Sequence, residues 1–307
     1  MRKQLCDSLV ARSTNPSMVF LTGDLGFMAL EPLQVAMKSK FINAGIAEQN
    51  MVSVAAAMAR EGLEPWVYSI APFCYARPFE QIRNDVAFHN LPVKLIGNGG
   101  GYGYGVMGPT HHAIEDYGVM LALPNMRVFI PVFDEDVSAV IDRAGNLTNP
   151  AYLRLGRGEI PSGFEVPEYA PWRQLISGKG MVVIVAGPIA GTYIDAFQKL
   201  PEKMRPNLWV VSELPLDQNP LPIELIQQIS QNNLGLCVVE EHVKRGGVGS
   251  EMALLLFEQK IPVAAFHHLY ARAHHYASYG SQNFLRSLSQ IDVKSVLAVV
   301  APEAMEN

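Results

Sequence analysis

The feature that most constrains this chain is an alternation of short β-rich runs with helix-like stretches, repeated along almost all of its 307 residues. Candidate strands are SMVFLT (17–22), PWVYSI (65–70), PVKLIG (92–97), RVFIP (127–131) and AYLRL (151–155). Helical patterns occupy 2–12, 47–61, 76–89, 112–122 and 134–146 around them. Strands that return only after a helix pair in parallel, and helices must then cover both faces of the sheet. Residues 156–172, GRGEIPSGFEVPEYAPW, carry three prolines and three glycines with no clean period, which reads as a connection. The alternation restarts with MVVIVAG (181–187), NLWVVS (207–212), GLCVVEE (235–241), PVAAFHH (262–268) and SVLAVV (295–300). The expected fold class is α/β: two doubly wound domains, 1–155 and 175–307, joined by a linker over 156–174.

Composition narrows the function classes. Hydrophobic residues make up 49% and charged residues 17%, enough for a large core and a buried interface. A net charge of −5 leaves no electrostatic footprint for nucleic acid or an anionic membrane. Cys6, Cys74 and Cys237 lie far apart without CxxC spacing, so neither disulfides nor a zinc site is expected. The start, MRKQLCDSLVARS, lacks a signal peptide's apolar stretch, and no apolar run nears the length of a membrane span. A cytoplasmic location is the expectation.

One helix is hard to place on a surface. In FINAGIAEQNMVSVAAAMAREG (41–62), Glu48 and Gln49 precede Met51, Val52 and Val54 to Ala59, with no charge until Arg60. An amphipathic surface helix would keep a polar stripe. Glu48 is therefore expected to be a buried carboxylate in need of a partner.

Other candidate chemistry clusters after strands, where open α/β sheets bind ligands. The glycine-rich GNGGGYGYGVMGPTHH (97–112) offers glycines at many spacings, but Pro109 interrupts and no helix opens at once, which excludes a dinucleotide fingerprint. Thr110 is expected to cap a following helix and put His111 and His112 in its first turn, where the dipole disfavours imidazolium. A neutral imidazole there suits a substrate hydroxyl or carbonyl; the alternative is that one of the pair, His112 more readily than His111, merely packs or caps. Adjacent side chains diverge, so the pair is not expected to bind a metal. Phe73, after Pro72 at a strand's end, is placed to stack on a planar ring, whereas Tyr75 and Phe79 read as core. Arg154 and Arg157 in AYLRLGRG suit a phosphate or carboxylate, or an interdomain ion pair. Glu240, Glu241 and His242 in VVEEHVKRGGVGS read as contacts to a neighbouring domain or subunit.

With these pieces placed, the sequence resembles the carboxyl-terminal two-thirds of the transketolase family. NAGIAEQNMV, FEQIRNDVA, GPTHHAIED, LPNMRVFIP, YLRLGRG and EEHVKRGGVGS stand in that family's order and spacing. The resemblance implies a thiamine diphosphate pyrimidine-binding domain at about 1–155 and a transketolase-like C-terminal domain at about 175–307. It also implies that Glu48 hydrogen-bonds the ring nitrogen of the cofactor's aminopyrimidine and promotes removal of the thiazolium proton. The resulting carbanion attacks a ketose carbonyl, with the cofactor as electron sink. Phe73 stacks on the pyrimidine in this reading, His111 contacts the donor's hydroxyl or an oxyanion, and His112 lies with it on the substrate side. Arg157 grips a substrate's acidic end. Asp24 in TGDLG matches an Asp-Leu stretch near the cofactor. Two positions depart from the pattern and bear on which sugar is accepted: Met107 replaces an acidic residue before GPTH, and the 97–101 stretch around Gly99 lacks a histidine.

The family's diphosphate site, a Gly-Asp-Gly motif followed some 25 to 30 residues later by Asn, has no counterpart: GDLG (23–26) differs and Asn43 comes too early. The resemblance thus implies the second, β-type subunit of a split enzyme, with Mg²⁺ (or Ca²⁺) and the diphosphate held mainly by an N-terminal partner subunit in an α2β2 heterotetramer. The expected activity is transfer of a two-carbon ketol unit from a ketose or ketose phosphate to an aldose. Two other readings stand beside it. One is 2-oxo acid decarboxylation, as in deoxyxylulose-phosphate synthases or dehydrogenase E1 β chains. The other is a non-catalytic assembly subunit.

Overall fold

The structure is a computed structural model and describes residues 1–305. The first half contributes β1 (Met18–Thr22), β2 (Phe41–Asn43), β3 (Glu64–Ile70), β4 (Lys94–Asn98), β5 (Arg127–Phe129) and β6 (Ala151–Leu155). The second half contributes β7 (Trp172–Ile176), β8 (Val182–Ala186), β9 (Asn207–Val211), β10 (Glu213–Leu214), β11 (Leu236–Glu240) and β12 (Phe266–Tyr270). They form two sheets, ordered β10-β5-β6-β4-β3-β1-β2 and β12-β11-β8-β9-β7. Every pairing is parallel except β10 with β5 and β7 with β9. The central strands β1, β4, β6, β8, β9 and β11 are buried at every position, as parallel strands covered by helices on both faces must be. The chain is thus built of two α/β units.

Several elements differ from the sequence expectation. SVLAVV lies in a helix, Val293–Val300, whose N-cap Asp292 accepts a hydrogen bond from the Ser295 amide. A short apolar run does not distinguish strand from helix; the capping aspartate does. The helix expected over 76–89 starts only after Pro78, as Phe79–Gln81 running on as a π-helical turn to Ala87, and a separate short helix, Ala71–Tyr75, precedes it. The helix expected from 112 starts only at Asp116. β2, β7 and β10 are additions. β10 comes from the second half yet extends the first sheet, pairing Glu213 with Phe129.

That shared strand is one part of a tight joint. Arg173 on β7 holds Asp136 through two bonds of 2.7 and 2.6 Å, both side chains being buried. The Arg154 guanidinium on β6 reaches Asp116 at 2.9 Å and the Glu241 carbonyl at 2.7 Å. Arg154 therefore serves the joint. Tyr117 stacks on His242 at 3.8 Å and donates to Glu240, which also accepts the Val248 and Gly249 amides and bonds His268. Burial pushes the Glu240 pKa up, but the His268 hydrogen bond and nearby charge outweigh it and leave the carboxyl below its ordinary value.

Candidate active site

Asp24 follows β1, Phe73 follows β3, the 99–115 loop follows β4 and Arg157 follows β6, so all four lie beyond the carboxyl ends of parallel strands. Glu48 opens the Glu48–Arg60 helix after β2 on the same side. It is 7% exposed, and its Oε1 accepts from Arg77 Nη1 at 2.6 Å. The Arg77 guanidinium carbon stands 3.7 Å from the centre of the Phe73 ring. The His111 ring meets Phe73 edge-on at 5.1 Å and Tyr104 at 6.4 Å. Glu48, Arg77, Phe73 and His111 thus form one contiguous line.

The expected cap and helix at His111 do not form. Pro109–His111 make a single 3₁₀ turn, His112 is extended, and the Thr110 hydroxyl bonds His111 Nδ1 at 3.0 Å. The extended backbone of His112 and the return of the chain to pair Ala113 with Gly101 keep this segment out of an α-helix. His111 still sits below its ordinary pKa, through burial first and the charge of Arg77 second, not through a helix dipole. His112 points the other way. It is 2% exposed, packs edge-on to Tyr102 at 5.2 Å and lies parallel to His274 at 5.8 Å, within the interdomain joint.

Arg157 is exposed and borders a hollow of about 210 Å³ together with Arg2, Asn98, Tyr104 and Gly156. Asn98 Nδ2 donates to the Tyr104 hydroxyl at 2.6 Å, linking this hollow to the His111 side. Asp24 opens on a different hollow of about 200 Å³ with Thr22, Phe27 and Asn43, and accepts from Asn43 Nδ2 at 3.2 Å. Among the described residues, no group of three or more His, Cys, Asp or Glu is placed to hold a metal ion.

The glycine-rich stretch has a reason of its own. A Cβ on Gly100 would lie 2.5 Å from the Arg154 side chain, and one on Gly101 (φ +65°) 2.7 Å from Glu241. Close approach of these charged side chains, not a bound dinucleotide, demands glycine there.

Sequence reasoning missed Arg77 and Arg2. Arg77 was legible as the first cation after Phe73, but no spacing rule links positions 48 and 77. Arg2 gave no local signal at all. The helix of Glu48 also differs from its expected burial: Ala57 is exposed, and Val54 and Met58 are half-buried. A shallow apolar face therefore remains open in the single chain.

Comparison with known proteins follows the same outline. Residues 10–162 match the family model described as "Transketolase, pyrimidine binding domain". The chain is 28% identical over 269 residues to one of the subunits of an apulose-4-phosphate transketolase from Phocaeicola vulgatus, covering 85% of each chain. It is 31% identical over 271 residues to the corresponding apulose-4-phosphate transketolase chain from Actinobacillus succinogenes, covering 87% of this chain and 86% of that one. Among solved structures, a split-gene transketolase described as an inactive β4 tetramer superposes with a TM-score of 0.80 at 26% identity, over 99% of this chain and 97% of the other. The chain belongs to the transketolase family, as a counterpart of a separately encoded subunit of a split transketolase.

Proposed function

We propose that this chain is the β-type subunit of a thiamine-diphosphate-dependent transferase, moving a two-carbon ketol unit from a ketose or ketose phosphate to an aldose once a partner chain supplies the diphosphate site. The observation that carries this reading is the line Glu48–Arg77–Phe73–His111 at the carboxyl ends of the strands.

The residues present fit the cofactor's ring. Arg77 shows that a planar, nitrogen-bearing group can lie on Phe73 and donate to Glu48 at once. The aminopyrimidine is such a group, and Arg77, with a side chain 44% exposed, can turn outward. Bound thiamine diphosphate supplies a nucleophilic carbon and an electron sink for cleaving the bond next to a ketose carbonyl. Glu48 holds a proton at the ring nitrogen, and Phe73 fixes the ring plane. His111, neutral by burial, donates to or accepts from a substrate oxygen. Arg157, with Arg2 across the same hollow, suits a phosphate. Met107, 55% exposed, leaves an apolar group before GPTH and bears on which sugar is accepted.

The partner, an N-terminal diphosphate-binding subunit, holds Mg²⁺ (or Ca²⁺) in this reading, and the complex is α2β2. Exposed Phe27, Met28 and Ile46 beside Asp24 and Glu48, with the open face of the Glu48 helix, provide the apolar surface such a partner covers. Among the described residues no helix is long and apolar enough to cross a membrane, and a cytoplasmic setting suits sugar substrates.

The test is reconstitution. This chain, a candidate partner, thiamine diphosphate, Mg²⁺ and a panel of ketose phosphates including apulose 4-phosphate are mixed together and apart. Turnover only in the complete mixture supports the reading; turnover by this chain alone, or full activity of a Glu48→Gln complex, overturns it.

A further inference from the structure

The loop between β4 and Asp116 carries His111, and seven of the twelve residues 97–108 are glycine. Glycine gives up more conformational freedom on ordering than any other residue, so such a loop needs external anchors to hold one shape. Its fully buried side chain at the tip is Tyr102. The Tyr102 amide donates to Glu241 Oε1 at 2.7 Å, and its hydroxyl donates to the Ala273 carbonyl at 2.6 Å and pairs with Ser289 at 2.9 Å. All three partners belong to the second half of the chain.

Glu241 is itself held firmly. Arg286 Nη2 and Nε reach its Oε2 at 2.8 and 3.0 Å, and Gln282 Nε2 donates to Oε1 at 3.0 Å. Glu241 and Arg286 are 4% and 3% exposed. Gln282 and Arg286 stand four residues apart on the Gln282–Leu288 helix and so share a face. From Tyr102 the constraint passes to the histidines by two short routes. Gly101 and Ala113 exchange backbone bonds of 2.8 and 2.9 Å, closing the loop, and the Tyr102 ring packs against His112, the neighbour of His111.

We propose that Glu241 is a positioning residue: clamped by Arg286, it fixes Tyr102 and so sets where His111 stands relative to Phe73. The inference deepens the function proposed above and rests on it for its effect on turnover. It gives the C-terminal domain a task in the reaction without any contact to substrate. A buried ion pair is a weak source of net stability, but a fixed charge pair specifies one arrangement. Here that arrangement adds to the backbone bonds of Gly99, Gly100 and Gly101 and the Tyr102 hydroxyl bonds in ordering the loop.

Glu241→Gln alone strands Arg286 without its counter-charge, so the informative variants share one background. E241Q/R286M keeps an acceptor for the Tyr102 amide, whereas E241L/R286M fills the space without one. Amide exchange of the 99–112 peptide is followed in the isolated chain, with melting temperature as a control for folding. In E241L/R286M, exchange across 99–112 is expected to quicken about tenfold relative to E241Q/R286M, the equivalent of one lost hydrogen bond. In the reconstituted complex, kcat of E241L/R286M is expected to fall roughly 100-fold with KM little changed, while E241Q/R286M, which keeps the acceptor but loses the Arg286 clamp, falls by less than about tenfold. Equal exchange in the two variants, separated exchange with equal kcat, or activity falling in step with melting temperature in both overturns the proposal. If exchange separates the variants while the wild-type complex shows no turnover, the anchoring stands and the functional reading fails.

Discussion

Arg77 contacts Glu48 at 2.6 Å while covering the Phe73 ring at 3.7 Å, so one guanidinium answers both the buried acid and the open aromatic face. The need of Glu48 for a partner is thereby met within the chain, and burial alone no longer argues for a cofactor. The two demands on Glu48 separate experimentally. Arg77→Met leaves a desolvated carboxylate unpaired and should destabilise the isolated chain by about 1–3 kcal/mol. Adding Glu48→Gln to it should recover most of that loss, because no buried charge remains. The double variant should still be inactive in the reconstituted complex. Urea titration and turnover decide; a stable, active double variant would remove Glu48 from the chemistry.

The same guanidinium acts on His111. Burial lowers the His111 pKa from its ordinary 6.5, and the Arg77 charge lowers it further. Arg77→Met should therefore move the His111 titration upward, though not fully to 6.5, since the larger cause remains. Two-dimensional NMR of labelled imidazole in the isolated chain reads this directly. A downward shift, or none, would show that Arg77 does not face His111 in solution.

The sequence was most legible where physics is local. The expected strand AYLRL coincides with β6, Ala151–Leu155, because a short, mainly apolar run is bounded there by breakers, Asn149-Pro150 before it and Gly156 after it. The carboxyl ends of such strands then pointed to Phe73, His111 and Arg157, whereas Asp24 came only from the family resemblance. Three things were not legible for one reason: they depend on pairing across distance. The two-residue β10 has too few positions to show a period, and only its meeting with β5 makes it a strand. His112 stood open between packing and a substrate role, and only the approach of His274 across 162 residues places it in the joint. Glu241 read as an interdomain contact, but its hold on Tyr102, 139 residues away, leaves no local trace.

The hollow beside Arg157 should discriminate between phosphorylated and free sugars. Arg157→Ala should raise KM for a ketose phosphate about 10- to 100-fold, the loss of one charge-assisted hydrogen bond to a phosphate oxygen. KM for the corresponding unphosphorylated ketose should hardly move. Arg2→Ala should repeat the pattern, because Arg2 borders the same hollow. Equal effects on both sugars would place these arginines in folding or assembly instead.

Acid should loosen the joint between the two halves through His242. Its Nε2 accepts the Gly118 amide at 3.1 Å, and its Nδ1 faces the Val243 carbonyl at 2.8 Å, so only the neutral Nδ1–H form satisfies both. Burial holds its pKa below 6.5 and Arg154 adds to this, against the opposing charges of Glu240 and Asp116. Below pH 6.5 the unfolded chain therefore binds a proton that the folded chain refuses. Stability conferred by His242 is complete above that pH and is lost as pH falls toward its folded pKa. His111, His112 and His275 carry shifts of the same sign, Glu251, raised by burial to about 7, opposes them in this window, and Glu115 and Glu240, held below 4.5, act only at lower pH. His242→Phe keeps a ring against Tyr117 and costs about 1 kcal/mol at every pH for the lost Gly118 bond. Between pH 6.5 and about 5 its stability should fall less steeply than wild type, by up to about 1.4 kcal/mol per pH unit. Urea midpoints of the isolated chain across that range measure the slope; identical slopes would mean that His242 protonates as readily folded as unfolded.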